Sequence, residues 1–510
     1  MPLSQSPPRL PASGSSFDLL VVGGGITGAG IARDATLRGL AVLLVEKDDF
    51  ASGTSSRSSR LIHGGLRYLE HGQLKLVFEA SDERRRLLRL APHLVRPLRF
   101  VWPVYAGARV PFWKVVAGVT LYDTLAMFRN VRRHRRLSPA GVEAEEPAVA
   151  RDGLRGGVAY FDAHTDDARL TLANVLDAEC AGATVLNHVA VEALSLERGR
   201  VVGARLADRL TGDTTEVRAL ATVNATGPWS DDVRRLEGAA GRPRVRGSKG
   251  VHILVPHHRV GNRAALTLLS PTDGRVMFAL PAGAFTVFGT TDTFTEANPD
   301  AVRASEDDVA YLLRAANTFF PAAQLGRADV VSAWAGIRPL VATTADSPNA
   351  ASREHAIEVT PGGVVAITGG KLTTYRIMAA QVVDVVVRRL GRGGRSTTAD
   401  LPLPDDTAER DAACGRDAEA GARIVPSLDW RFGELRWAVE RAHARTLADL
   451  FIRRTKLAFE TPDHGAGAAA AAAQYVAPLL GWNGDEQREA VARYAREVER
   501  IFGVDAGAGV

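Results

Sequence analysis

The segment that most narrows the fold lies near the N-terminus. Asp18-Leu19-Leu20-Val21-Val22 is a short apolar run of buried-strand character, and it leads straight into Gly23-Gly24-Gly25-Ile26-Thr27-Gly28. Helical character follows from Ile31 to Arg38, then a second apolar strand from Ala41 to Val45, closing on Glu46. A strand, a Gly-x-Gly-x-x-Gly turn, a helix and a strand ending on a carboxylate form a βαβ unit of the dinucleotide-binding kind. Each position has a task. Gly23 makes the tight turn, Gly25 lets a pyrophosphate approach the backbone, and Gly28 lets helix and strand pack closely. The helix N-terminus offers N–H groups and the positive end of its dipole. Glu46, 23 residues after Gly23, suits hydrogen bonding to ribose hydroxyls and disfavours a ribose 2′-phosphate. FAD and NAD share that ribose, so the motif alone leaves both open.

Composition bounds the rest. The chain has 510 residues, 46% hydrophobic and 24% charged, which excludes wholesale disorder and a polytopic membrane protein. At about 150 residues per domain, roughly three domains are expected. Lys+Arg (63) nearly balances Asp+Glu (58), so no nucleic-acid role is expected, although local basic clusters can still meet phosphate or anionic lipid. Cys180 and Cys414 are far apart in sequence and neither lies in a CxxC. No disulfide framework follows, and a reducing compartment is the simplest home. His257-His258 has no further ligand at metal spacing, so no metal site is expected. Residues 1–16 read as a flexible leader without an apolar signal core. No run of about 18 strongly apolar residues predicts a transmembrane helix.

Further along, Thr54 to Glu70 is rich in small hydroxyl residues and contains His63-Gly64-Gly65-Leu66-Arg67-Tyr68. Small residues and adjacent glycines permit close backbone contact with a flat ligand. Asn224-Ala225-Thr226-Gly227-Pro228-Trp229 is a small-residue strand end, and Gly369-Gly370-Lys371-Leu372-Thr373-Thr374-Tyr375-Arg376 is a glycine turn before a helix. Alternating patterns over 251–255, 276–280 and 285–289 predict antiparallel strands. A Gly/Ser/Pro linker over 391–404 separates a helical remainder rich in Ala and Arg. From Trp102 to Arg136, Tyr105, Phe112, Trp113, Tyr122 and Phe128 are interleaved with basic residues. That mixture reads as a surface resting on a bilayer, with aromatic rings at the interface and cations on anionic headgroups. The plain alternative is core aromatics beside a solvated charge run.

Together these segments, with Gly289-Thr290-Thr291-Asp292 and Gly336-Ile337-Arg338-Pro339-Leu340, resemble the FAD-dependent glycerol-3-phosphate dehydrogenases. The likeness runs from about 17 to 390 and resumes more weakly at Thr446 to Thr455. It implies an α/β architecture, with a glutathione-reductase-type, Rossmann-like FAD-binding domain interleaved with an antiparallel-sheet substrate domain and followed by an α-helical C-terminal domain. Drawn on this sequence, the FAD-binding domain takes 17–80, 150–235 and 330–392. The substrate-binding and membrane-facing part takes 81–149 and 236–329, and the helical domain takes 400–510. The opening of that last domain, about 405–428, is less patterned than in the family, and Ala442 stands where many relatives carry an acidic residue.

The resemblance implies oxidation of sn-glycerol 3-phosphate to dihydroxyacetone phosphate, the C2 hydrogen leaving as hydride to flavin N5. Electrons would pass to ubiquinone or menaquinone from a peripheral position on the cytoplasmic face of the cell membrane. The related oxidases, which pass electrons to oxygen and release peroxide, are the alternative. A homodimer is a further candidate assembly. A phosphate dianion needs several cationic donors, and the departing proton needs an acceptor or a charge that stabilises the alkoxide. The motifs place Arg67, Tyr68 and, less directly, Thr290 as substrate-binding, and His252, Arg338 and Lys371 as catalytic. His252 is the preferred base, its ordinary pKa of about 6.5 suiting proton acceptance near neutrality. A buried structural histidine is its alternative, and Arg338 stabilising the alkoxide could share the role. FAD contacts are implied at Gly23, Gly25, Gly28 and Glu46, and in the second segment at Thr54, Ser55, Ser59, Leu61, His63, Gly64, Gly65 and Leu66. Val191, Ala225, Thr226, Gly227, Gly370, Leu372 and Thr373 complete the set. His63 reads as a packing or hydrogen-bonding residue more than a catalytic one.

Overall fold

The computed structural model of the chain describes residues 9–127, 130–238, 242–342 and 354–507; the side chains of Arg67 and His71 lie outside that description, as does Phe128. Its first sheet has eight strands and is built on the strand Ser15–Val22. This strand runs parallel to Val42–Val45 on one side and to Thr214–Asn224 on the other. Thr184–Leu186 and Val365–Gly369 extend the parallel set outward on either side. Leu19, Leu20 and Val21 are wholly buried, as expected of a parallel strand covered on both faces, where no polar alternation is possible. Leu19, Val21, Val42 and Leu44 share one core with Ala29, Ala32 and Ala35 of the helix Ile26–Leu37. That helix packs between Asp167–Cys180 and Tyr375–Leu390. Small residues on its surface allow both neighbours to approach.

The second sheet has ten strands. Its long strand Val245–Pro256 pairs antiparallel with Phe285–Gly289 on one side and with Ser332–Val341 on the other. Alternation sorts its side chains. Val251, Ile253 and Val255 are fully buried, and they pack in one core with Val309, Leu312 and Ala316 of the helix Glu306–Phe319. Gly250 and His252 point to the other face, toward the first sheet.

Sheet membership departs from the boundaries drawn on the sequence. Leu154–His164 and Ser332–Val341 fall in ranges read as FAD-binding, yet both hydrogen bond into the second sheet. The chain crosses between the sheets more often than composition reveals. Residues 9–16, read as leader, are tied down. Arg9 Nη1 donates to Asp208 at 2.7 Å, and the first strand begins at Ser15; residues 1–8 lie outside the described residues. The stretch read as a bilayer surface is divided too. Arg96–Tyr105 is a strand whose Trp102 is buried, and Tyr122 is completely buried. Trp113 remains, 71% exposed, on the helix Phe112–Leu125.

The helical region, including Phe432–Arg441, Ala469–Leu480 and Gly484–Phe502, joins the core of the first sheet. The Ala run of the sequence is mostly the start of Ala469–Leu480. A buried ionic network fastens this region on. Asp49, just past the second parallel strand, accepts from Arg453 Nε at 2.5 Å and from Arg454 Nη1 and Nη2 at 2.6 and 2.8 Å. Arg453 also donates to Asp449 at 2.7 Å, and His188 Nε2 lies 2.9 Å from the other Asp449 oxygen. Burial opposes charge on all of these groups, but Arg454 and Arg453 hold Asp49 below its usual range, and Asp449 raises His188. The guanidinium groups occupy the carboxylates, so this His/Asp cluster reads as an interdomain clamp rather than a metal centre.

Candidate active site

A cavity of about 580 Å³ lies between the two sheets, lined from both. Its first end is the βαβ turn. Gly23 adopts φ +107°, and a Cβ there would come 2.8 Å from the Ala225 carbonyl oxygen. A Cβ on Gly28 would run into the Gly23 carbonyl oxygen. Gly28 therefore stands behind the cavity as a packing residue, while Gly23, Gly25, Ala225, Thr226 and Gly227 line it. Ser55 Oγ accepts from Ile26 N–H at 3.0 Å, which fixes the hydroxyl loop over the start of the helix. Thr54 is held by donating to the Ile337 carbonyl at 2.6 Å. Glu46 accepts backbone N–H bonds from Gly24 and Asp48 at 2.7 and 3.0 Å. Burial and the neighbouring Asp48 charge nonetheless push its carboxyl up to about 7. Such a group is short of donors, and a ribose diol supplies them.

These features fit FAD. The glycine cradle leaves room where side chains would stand, and the acceptor lies at the ribose position. Val191 lines the cavity near Glu46, and Gly370, Leu372 and Thr373 line it farther along. Gly369 and Gly370 take φ of +77° and +85° in succession, a backbone course that L side chains rarely follow. Thr373 Oγ1 bonds the His63 N–H at 3.1 Å and so ties two cavity walls together. His63 lines the cavity and packs edge-on against Phe278. Leu61, Gly65 and Leu66 line the cavity, but Gly64 does not. Gly64 N–H instead donates to the Tyr122 hydroxyl at 2.7 Å, and a Cβ there would collide with that hydroxyl. This corrects its expected place: Gly64 serves the buried Tyr122–Arg84–Asp162 cluster, of which Asp162 itself lines the cavity. Arg57, Arg275 and Trp229 also line the cavity and were not singled out. Arg57 and Trp229 lay within quoted segments. Arg275 carries no local signal, because its neighbours across the cavity come from distant segments.

At the other end, Tyr68, His252, Thr290, Arg338 and Lys371 come together. Arg338 donates to Thr290 Oγ1 at 2.9 Å and to Asp292 at 3.2 Å, and its guanidinium lies over Gly250, where a Cβ would sit 2.5 Å from it. Lys371 Nζ stands 3.6 Å from the centre of the Tyr68 ring, a cation–π contact. His252 is 2% exposed and pairs directly across the strands with Trp334 and Gly289. Its Nε2 lies 2.8 Å from Ser59 Oγ. Burial, then the charges of Arg338 and Arg60, lower its pKa to about 3. The ordinary value near neutrality expected from sequence does not hold, because the imidazole is buried beside two guanidinium groups.

The family model described as FAD dependent oxidoreductase matches residues 18–382, and that described as the C-terminal domain of alpha-glycerophosphate oxidase matches 405–487. A glycerol-3-phosphate dehydrogenase of Mycobacterium leprae is 38% identical, over 95% of this chain and 88% of its own length. One from Synechocystis is 37% identical over 95% and 97%. Among solved structures, the glycerol-3-phosphate dehydrogenase from Bacillus halodurans complexed with FAD superposes with a TM-score of 0.78 at 31% identity, covering 96% of each chain. The L-alpha-glycerophosphate oxidase of Mycoplasma pneumoniae shares the fold at a TM-score of 0.60 and 17% identity, over 77% of this chain and all of its own. With the glycine cradle, the acidic ribose acceptor and the cationic far end of one cavity, these matches show that the chain belongs to the FAD-dependent glycerol-3-phosphate dehydrogenase family.

Proposed function

We propose that this chain oxidises sn-glycerol 3-phosphate to dihydroxyacetone phosphate and delivers the electrons to a membrane quinone. The observation that carries the reading is that Arg338, Lys371, Tyr68 and a neutral His252 line the same cavity as the dinucleotide cradle. Bound FAD supplies the hydride acceptor. Arg338 and Lys371 offer charge-assisted donors to a phosphate dianion. His252 takes the C2 hydroxyl proton as the C2 hydrogen leaves as hydride. Its Nε2 lies 2.8 Å from the Oγ of Ser59, a cavity-lining residue, and its buried Nδ1 has no hydrogen-bond partner among the described residues. A dianion beside Arg338 offsets one of the charges that hold His252 low, so substrate arrival itself raises the affinity of the imidazole for a proton. Arg338 is placed to receive negative charge developing on the substrate oxygen.

The acceptor reading rests on the outer surface. Trp113, Leu121, Met127 and Val131 are exposed beside Arg132, Arg133, Arg135 and Arg136, an apolar and basic combination that suits the headgroup region. No helix among the described residues is long and apolar enough to cross a membrane, so contact would be peripheral, on the cytoplasmic face. Anaerobic titration with sn-glycerol 3-phosphate should bleach the flavin band near about 450 nm. Reoxidation by a ubiquinone analogue far faster than by oxygen would support the quinone reading; rapid peroxide release would replace it with the oxidase. A flavin that does not bleach would sink the substrate assignment.

A further inference from the structure

We propose that Trp334, backed by Phe459 of the helical region, is a positioning residue that fixes the imidazole of His252 for proton transfer. The inference rests on the reading of His252 as the proton acceptor. Its basis is the register of the second sheet. His252 and Trp334 are direct cross-strand partners, so their side chains share a face. Their rings stack at 5.4 Å between centroids with 14° between planes. The partner on the other flank is Gly289, and a Cβ there would collide with the imidazole Cδ2. The glycine therefore makes the space for the ring but does nothing to hold it. Among the described residues, the indole plate and the Ser59 hydroxyl are the side-chain contacts that set its tilt.

The plate is itself clamped from outside the sheet. Phe459 meets Trp334 edge-on at 5.0 Å and 85°. The Phe459 carbonyl accepts from Ser332 Oγ at 3.0 Å, which pins this helical segment two residues before Trp334 on the same strand. The Arg60 guanidinium lies 4.8 Å from the Phe459 ring and 5.7 Å from the Trp334 ring. Behind Phe459 stands Phe502, again edge-on at 5.0 Å. All three inner rings are buried, at 1% for Trp334 and 2% each for Phe459 and His252. The indole Nε1 has no hydrogen-bond partner among the described residues, so the indole N–H does not account for a tryptophan here; the flat ring does. The helical region thus reaches the proton acceptor through one aromatic contact.

The charged and polar groups around His252 are Arg338 from Ser332–Val341, Ser59 and Arg60 from the hydroxyl loop, and Lys371 across the cavity. Asp292 and Asp167 stand behind Arg338 and Arg60 respectively. The test uses the FAD-loaded full chain and anaerobic stopped-flow reduction by sn-glycerol 3-phosphate, from about pH 5 to about pH 9. Trp334→Leu should slow the limiting reduction by about 10-fold or more, part of the roughly 10²–10⁴ that a positioned base contributes. It should also admit water and move an acid limb up toward about pH 6 to 7, where an ordinary imidazole titrates. Phe459→Leu should shift both in the same direction by less. Trp334→Phe keeps a stacking ring and should stay within about 3-fold of the parent, a change of under about 1 kcal/mol. If Trp334→Leu does not fold, the comparison of Phe459→Leu with Trp334→Phe carries the same contrast. A slower rate with an unmoved pH profile, or no effect at all, overturns the proposal. His252→Asn separates the two readings: fast reduction in that variant removes the base assignment itself, whereas slow reduction beside an unaffected Trp334→Leu removes only the positioning role.

Discussion

Asp49→Asn should loosen the helical region without touching the cavity lining. The side chain is 0% exposed and accepts three hydrogen bonds from Arg453 and Arg454. An amide offers one acceptor oxygen and no charge. Arg453 would keep Asp449, but Arg454 would keep only the Ala442 carbonyl, 2.8 Å from its Nε. Removing one partner of a buried pair costs about 3–5 kcal/mol, because the remaining charge stays buried. At about 1.4 kcal/mol per tenfold, the open form of this region should become roughly 10² to 4 × 10³ times more populated. Hydrogen exchange read on peptides spanning 432–480 should accelerate by that factor, while peptides of the first sheet change little. Equal exchange in the two proteins, or acceleration spread evenly over both sheets, would refute the assignment of the clamp.

The clamp also predicts a pH window. The depressed Asp49 and Asp449 supply stability that is present above the ordinary carboxylate pKa and lost as pH falls, whereas the raised His188 supplies stability that is fully present below about 6.5 and lost as pH rises through its folded value; melting in the helical region should therefore fall off on both sides of a mildly acidic maximum. Glu46→Gln should flatten a second dependence. With the folded carboxyl near 7 the unfolded chain releases its proton first, so the apoprotein loses up to about 3 kcal/mol between about pH 4.5 and 7, less where cavity water screens the charge; calorimetry of apo wild type and variant would show the difference, and FAD affinity should drop about tenfold or more. Gly28→Ala drives a methyl into the Gly23 carbonyl, and purified protein should be colourless or poorly folded; a yellow, stable variant would contradict the close packing. Arg338→Lys keeps charge but loses the fork that reaches Thr290 and Asp292; kcat/KM for sn-glycerol 3-phosphate should fall about 10²-fold, and no loss would deny Arg338 its place in the site.

The first βαβ unit was legible because its signal is local: strand, glycines and carboxylate sit within one short window, and their geometry is set by that window alone. The cavity's other wall was legible only through motif resemblance. Nothing near His252 announces that Gly289 and Trp334 flank it, since those partners are joined by strand register over 37 and 82 residues. Arg275 and the Asp49 clamp were opaque for the same reason. The strand Arg96–Tyr105 went unread because Pro97 and Pro103 and its basic residues obscure the strand pattern. In Tyr122, a ring taken as interfacial instead serves a buried hydrogen-bond cluster with Arg84 and Asp162. Composition cannot tell the two uses of an aromatic residue apart.

The strand order of the first sheet has a consequence for synthesis. Thr214–Asn224 pairs on its outer flank with Val365–Gly369, and the Gly370–Thr373 turn completes the cavity wall. At about 5–20 residues per second, a ribosome needs roughly 20–75 s to reach residue 370. From the time residue 224 is made until then, the C-terminal end of Thr214–Asn224 has an uncovered outer flank, the kind of edge that recruits other chains. The cavity lining is complete once Thr373 has been made, while the helical region that follows it is still to come. Expression yield should then depend on how long the nascent chain waits with that edge uncovered, rather than on the stability of the finished fold.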